Sequence, residues 1–178
     1  MIYSKERPWI KDRFFSEWGL MSLFLLAWGL YTFYPFKFSE GGISADGVTY
    51  AHISKNILLD GSPGWQGTWA APFFSVLMAA VYPLVGNFVV AGMLVSKVMT
   101  ALLPLAVYLL AKEVFNPRIG LFAAVLTAVH PHFTFISGMV EPEATYTTLQ
   151  VFALWAMWRA FKSSGQRSVV SDQLVQNS

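Results

Sequence analysis

Apolar residues along this chain fall into long blocks rather than into a periodic stripe. The first, 18–36, carries no charge and follows a basic stretch with Lys5, Arg7, Lys11 and Arg13. Three more long blocks occupy 88–111 (interrupted by Lys97), 119–136 and 142–161. A membrane-crossing helix needs about 20 mostly apolar residues, so each block is long enough to span. A secretory signal would be shorter and would end at a small-residue cleavage site. The first block therefore reads as an uncleaved span with its N-terminus in the cytoplasm. Pro142 with Glu143 behind it is a favourable helix start for the last block. A shorter block, 72–85, contains Pro83 and suits an interfacial or re-entrant helix better than a span.

The distribution of basic residues selects the topology, because cytoplasmic loops are enriched in Lys and Arg. If 72–85 does not cross, nine basic residues lie inside, against Lys37 and Lys55 outside and Lys97 within the membrane. If it does cross, four lie inside and seven outside. The first arrangement predicts an all-α integral membrane protein: four spans and two surface helices in one outer loop, 37–87. It also puts Glu40, Asp46, Asp60, Glu141 and Glu143 on the same non-cytoplasmic side.

Within that outer loop, Gly41-Gly42 marks a turn, and the pattern predicts a helix over 46–59 ended by Asp60-Gly61. Val48, Tyr50, Ala51, Ile53, Ile57 and Leu58 give it a broad apolar side suited to lying on a membrane surface. An aromatic-bearing loop with Trp65 and Trp69 follows. Residues 1–162 form one membrane module; 163–178 is polar and reads as a cytoplasmic tail without regular structure.

Composition supports this picture. Of 178 residues, 55% are hydrophobic, 16% aromatic and 12% charged, with a mean hydropathy of +0.49. A soluble domain carries about 25% charged residues, so an ordinary soluble enzyme, a coiled coil and a disordered chain are excluded. The chain has no Cys, hence no disulfide, thiolate nucleophile or Cys-ligated zinc. No phosphate-binding glycine loop or HExxH motif occurs, and nothing points to nucleic acid.

Several polar residues are candidates for chemistry, each with a plainer alternative. Asp46 opens the surface helix with Tyr50 at i+4; it is either a carboxylate complementing the helix dipole or a general base at the membrane–water boundary. Glu141 and Glu143 flank Pro142 at the outer end of the last span. They are helix-start acids, or one of them reaches toward Asp46 to position an acceptor or hold a cation. Lys97 lies ten positions into its block, about 15 Å deep at about 1.5 Å per residue. An intramembrane charge is a functional candidate: a partner for a lipid phosphate, or a buried amine satisfied by a backbone carbonyl. His130 and His132 are two apart, point to different sides and make a poor metal pair; Pro131 between them predicts a kink. Trp65 and Trp69 fit stacking on a sugar or a prenyl chain, or simple interfacial anchoring.

In order and spacing, these segments resemble the N-terminal part of the GT-C membrane glycosyltransferases, in the branch of the dolichyl-phosphate-mannose–protein mannosyltransferases and the bacterial aminoarabinose transferases. The carriers are Asp46-Gly-Val-Thr-Tyr50, Ala71-Pro72-Phe73-Phe74, Val107-Tyr108-Leu109-Leu110-Ala111-Lys112, Phe115-Asn116-Pro117-Arg118-Ile119-Gly120-Leu121, Ala128-Val129-His130-Pro131, Ser137-Gly138 and Pro142-Glu143. The resemblance covers about 18–162. It implies a polyprenyl-phosphate-sugar donor and an inverting transfer on the non-cytoplasmic face, with Asp46 as base and Glu143 as the second-loop acid. Tyr50, Glu141, Trp65 and Trp69 would contact substrate, and Lys97 and His52 would face the leaving phosphate. No metal ligand set is implied, although a divalent cation is compatible. The chain departs from the family at Ala71, where a double proline is common, and in length, because family members continue through further spans. It is thus expected to be the N-terminal part of such an enzyme, with lipids and a possible second chain as partners. The rival expectation is a non-catalytic module that binds a prenyl lipid or scaffolds a partner, and a transporter subunit is the poorer third.

Overall fold

The structure, a computed structural model, describes residues 9–33, 43–64, 70 and 72–176. Among them the chain is all helical: α1 (Trp9–Phe33), α2 (Ala45–Asp60), α3 (Phe73–Val85), α4 (Phe88–Val114), α5 (Pro117–Ala128), α6 (Pro131–Ser137) and α7 (Glu143–Gln176). Helix ends follow local chemistry. Ser44, Asn87 and Asn116 cap α2, α4 and α5 by accepting backbone N–H groups. Gly61 and Gly86, both at positive φ, close α2 and α3.

Three differences from the sequence pattern have physical causes. The block 119–136 is not one straight helix: α5 and α6 meet at a 55° bend. Pro131 opens the second piece, and the ring of His130 caps it by accepting the His132 N–H at 3.3 Å. The last block does not end at 161, and helical backbone continues through the expected tail to Gln176. Four helices were expected to be long and apolar enough to cross a bilayer. Among the described residues α4 alone meets that test by length and composition, joined by the bent α5–α6 pair if it counts as one span. The described apolar stretch of α1, Trp18–Leu30, is too short by itself, and α7 is diluted by Thr145, Thr147, Thr148 and Gln150.

Helix α4 is the axis of the fold, packing against every other helix. Its neighbours are held by hydroxyl-to-carbonyl bonds and small residues, the usual devices of closely packed helices in an apolar setting. Thr148 of α7 donates to the Met99 carbonyl at 2.9 Å. Pro104 lies inside α4 and cannot donate to the carbonyl of Thr100. The Trp28 indole of α1 supplies the missing donor at 3.1 Å. Helices α2 and α3 are joined through the Tyr50 carbonyl, which accepts from Ser75 at 2.9 Å and lies 2.7 Å from the Ser54 hydroxyl.

The core at one end of α4 is built on Val140. It is fully buried with Phe74, Met78, Met93 and Val95. It belongs to the turn between α6 and α7, and two glycines let it in. A Cβ on Gly47 would come within 2.7 Å of the Val140 carbonyl oxygen, and one on Gly92 within 2.6 Å of a Val140 methyl. The clash at Gly47 is against backbone, which cannot swing away. Gly47→Ala is therefore expected to destabilise the fold by about 1–3 kcal/mol, whereas Gly19→Ala, whose Cβ meets open space, should not. Thermal unfolding of both variants in detergent checks this.

Candidate functional site

Packing of Gly47 against Val140 brings two distant segments together: the N-terminal turn of α2, carrying Asp46 and Tyr50, and the turn entering α7, carrying Glu141 and Glu143. The second segment is fixed from below, because Ser96 of α4 donates to the Glu141 carbonyl at 3.1 Å. The first is fixed through Tyr50, whose ring stands edge-on to Phe74 with centroids 5.4 Å apart. Asp46 and Glu143 are exposed at the rim, while Glu141 and Tyr50 are half-buried.

The electrostatics of this cluster are set first by burial and then by the neighbouring carboxylates. The Glu141 carboxyl is raised above the ordinary glutamate range, chiefly by burial. The hydrogen bond from Ser44 opposes the rise, while the charges of Glu143 and Asp46 and a hydrogen bond shared with Glu143 add to it. The Tyr50 phenol is raised as well, by burial first and then by Tyr146, Asp46, Glu143 and Glu141. Tyr50 thus stays a neutral O–H donor beside three acids. Such a cluster can accept a proton at Asp46 and hold one between Glu141 and Glu143. Among the described residues no group of three or more His, Asp or Glu side chains converges as a metal site would require.

The other candidates distribute differently. Lys97 follows Ser96 on α4, where the turn at 138–142 meets the helix through the Ser96 bond to the Glu141 carbonyl. Its ammonium donates to the Thr32 carbonyl at 2.7 Å, complementing the C-terminal end of α1. His52 is exposed, six residues beyond Asp46 and on another side of α2. Trp65 and Trp69 lie outside the described residues.

Sequence reasoning missed Ser44 and Tyr146. Tyr146 stands one turn after Glu143 on α7, an i+3 spacing that shares a face and was the available signal. Ser44 had only its position before a helix. The two glutamates are also told apart: Glu143 occupies an exposed first turn, whereas Glu141 is the half-buried one bonded to Ser44.

The opposite end of α4 carries a separate polar group. Glu113 accepts from the Trp155 indole at 3.0 Å and lies 3.6 Å from Arg159. The Lys112 ammonium sits over the rings of Trp18 and Tyr108, 4.7 and 5.1 Å from their centroids. From Ser96 to Glu113 the helix rises about 26 Å at about 1.5 Å per residue.

Comparison with known proteins gives a consistent answer. Residues 70–170 match the family model described as dolichyl-phosphate-mannose-protein mannosyltransferase. Lys97, Glu141 and Glu143 fall inside that match, and Asp46 and Tyr50 outside it. The chain is 29% identical over 160 residues to the undecaprenyl phosphate-alpha-4-amino-4-deoxy-L-arabinose arabinosyl transferase of Pseudomonas aeruginosa strain PAO1, covering 83% of this chain and 28% of the relative. It is 30% identical over 158 residues to a second such transferase from Pseudomonas fluorescens, covering 79% of this chain and 25% of the relative. The chain thus spans about a quarter of the length of these relatives. No solved structure matches it.

The raised Glu141 carboxyl has a consequence for stability. A carboxyl whose pKa is higher folded than unfolded contributes stability below its unfolded value and loses it as pH rises through the folded one. Between about pH 4 and 7, the melting temperature of the wild type should therefore fall relative to that of Glu141→Gln as pH increases. Parallel melting curves at all pH values would show that Glu141 titrates as an ordinary surface glutamate.

Proposed function

Because the chain belongs to the dolichyl-phosphate-mannose–protein mannosyltransferase family, we propose that it forms the N-terminal, acid-bearing part of a membrane glycosyltransferase using a polyprenyl-phosphate-linked sugar. The observation that carries the reading is the meeting of Asp46 with Glu141, Glu143 and Tyr50, four residues from two segments nearly a hundred positions apart.

In this reading the blocks at 18–36, 88–111, 119–136 and 142–161 cross the bilayer, and α2 and α3 lie at its outer surface. Leu20, Leu23, Leu26 and Leu30 of α1 support it, since they form an exposed apolar ridge that water would disfavour. The distance from Ser96 to the Glu113–Arg159 pair is close to the roughly 30 Å of a hydrocarbon core. N- and C-termini then lie in the cytoplasm and the acid cluster on the other side.

The chemistry is an inverting transfer. The acceptor hydroxyl oxygen attacks the anomeric carbon from the face opposite the phosphate, and its proton passes to the Asp46 carboxylate. The bond from the anomeric carbon to the phosphate oxygen breaks, and its electron pair leaves with the polyprenyl phosphate. Glu143 orients the acceptor, Tyr50 donates a hydrogen bond, and the ammonium of Lys97 offsets charge developing on the phosphate. The relatives' names place a 4-amino-4-deoxy-L-arabinose on undecaprenyl phosphate; a pentose or hexose carried in that way is the donor class proposed here.

In proteoliposomes supplied with a polyprenyl-phosphate sugar, Asp46→Asn should slow transfer by about 10²–10⁴-fold while leaving the melting temperature nearly unchanged. Glu143→Gln should chiefly raise the KM for the acceptor. Full activity in Asp46→Asn would remove it as the base. A wild-type chain that binds the donor but never transfers would instead be the non-catalytic, lipid-binding module.

A further inference from the structure

At the end of α4 opposite the acid cluster, α4 stops at Val114 while α7 runs on past it to Gln176. The step between them holds a polar cleft of about 420 Å³, lined by Glu113, Arg159, Lys162 and Ser163. That is the size of a small-ligand site, about 300–1,000 Å³. Glu113 uses one oxygen, Oε1, for both of its contacts: the Trp155 indole donates to it at 3.0 Å, and Arg159 Nε lies 3.6 Å away. Its Oε2 has no hydrogen-bond partner among the described residues. The Arg159 guanidinium lies 5.4 Å from the centroid of the Trp155 ring. The ion pair engages its Nε edge, which leaves the terminal nitrogens for another acceptor. Lys162 follows at i+3 on the same face of α7, and both cations are exposed. The cleft thus sets two cations beside one carboxylate.

The flank of the cleft is apolar. Leu154, Met157, Trp158 and Phe161 are exposed on α7, and their spacing draws a helical stripe that begins beside Arg159 and runs back toward the acid-bearing end. With the spans proposed above, this end of α4 lies at the cytoplasmic surface of the bilayer, where basic residues and tryptophans gather. A bare phosphate would answer the two cations but would meet Glu113 as a like charge. A choline head brings no N–H to that carboxylate. A glycerol head brings only a neutral hydroxyl, about half as strong a donor as a charged one. A phosphodiester followed by a primary ammonium satisfies all three groups, with charge-assisted bonds at both ends.

We infer that this cleft binds phosphatidylethanolamine of the cytoplasmic leaflet, with its phosphate on Arg159 and Lys162, its ammonium on Glu113 and an acyl chain along Leu154, Met157 and Phe161. A lipid placed there bridges α4 to α7 and ties their cytoplasmic ends together. The site is separate from the acids of the proposed transfer; it rests on the membrane orientation given above and not on the sugar donor.

The test uses the full chain in dodecyl maltoside, titrated with dioleoyl-phosphatidylethanolamine, dioleoyl-phosphatidylcholine or dioleoyl-phosphatidylglycerol, with bound lipid read by native mass spectrometry. Phosphatidylethanolamine should bind about tenfold more tightly than phosphatidylcholine, the worth of one charge-assisted hydrogen bond, and more tightly than phosphatidylglycerol. Glu113→Gln keeps an acceptor for the Trp155 indole but removes the charge, and should erase the preference over phosphatidylcholine. Arg159→Gln and Lys162→Gln should each weaken both lipids by about fivefold, with lipid-free melting temperatures close to that of the wild type. Equal binding of the ethanolamine and choline lipids, a preference that survives in Glu113→Gln, or tighter phosphatidylglycerol would overturn the ethanolamine assignment. Displacement of the lipid by equimolar phosphoethanolamine or inorganic phosphate would reveal a site for a soluble phosphate and overturn the lipid. Any of these results leaves the proposed transferase standing. The leaflet is checked through Ser163→Cys in this cysteine-free chain, which a membrane-impermeant maleimide should label in inverted vesicles and not in intact cells. Labelling in intact cells would overturn the leaflet together with the orientation proposed for the acids.

Discussion

Everything near the acid cluster depends on one contact, the seating of Val140 between Gly47 and Gly92. Hydrophobic burial drives the contact, but its geometry is set by the two missing Cβ atoms, because α2 and α4 can both approach the turn only where no side chain intervenes. The turn is then locked by the Ser96 hydroxyl, and α2 by the reciprocal pair in which Ser75 donates to the Tyr50 carbonyl and Ser54 to the Ser75 carbonyl. The carboxylates themselves repel one another and cannot hold this arrangement; Glu141 is raised chiefly by burial, and the charges of Glu143 and Asp46 add to the rise. Apolar packing and hydroxyl bonds absorb that repulsion, and the site inherits its shape from them.

Much of the helical order was legible in the amino-acid pattern. The 46–59 helix, the short 72–85 helix with its internal proline, and the kink at Pro131 all correspond to α2, α3 and the α5–α6 bend. These features are local: caps, glycines at positive φ and proline sterics act within a turn. The meeting of Asp46 with the 141–143 acids was reachable only indirectly, through the count of basic residues that put both segments on one side. What was not legible was long-range. No local signal marks Val140 as the key, Ser44 as a hydrogen-bond partner of Glu141, or Thr32 as the acceptor for Lys97. Counting along α4 gives the distance of Lys97 from the helix start, but it could not reveal that the turn at 138–142 meets α4 at the neighbouring Ser96. The persistence of helix to Gln176 was likewise not evident from its polarity.

Lys97 shows how a plain and a sharp reading of a residue can coexist. Its bond to the Thr32 carbonyl is the modest role expected of a lysine in an apolar bundle. The same bond fixes the ammonium at the C-terminal end of α1, one residue along α4 from the Ser96 that holds the Glu141 carbonyl. A group fixed for structural reasons is already oriented, so it loses little further freedom when it meets an anion.

The pairing of Trp28 with the carbonyl released by Pro104 bears on how such a chain is made. In a bilayer, an indole N–H and an unpaired carbonyl are each costly until they find a partner. Their residues are separated by 72 positions, so with α1 crossing the bilayer, as proposed above, it would enter the membrane well before its partner helix has been synthesised. During that interval this indole–carbonyl bond cannot form. A proline in one helix thereby becomes a timing constraint on the biogenesis of another.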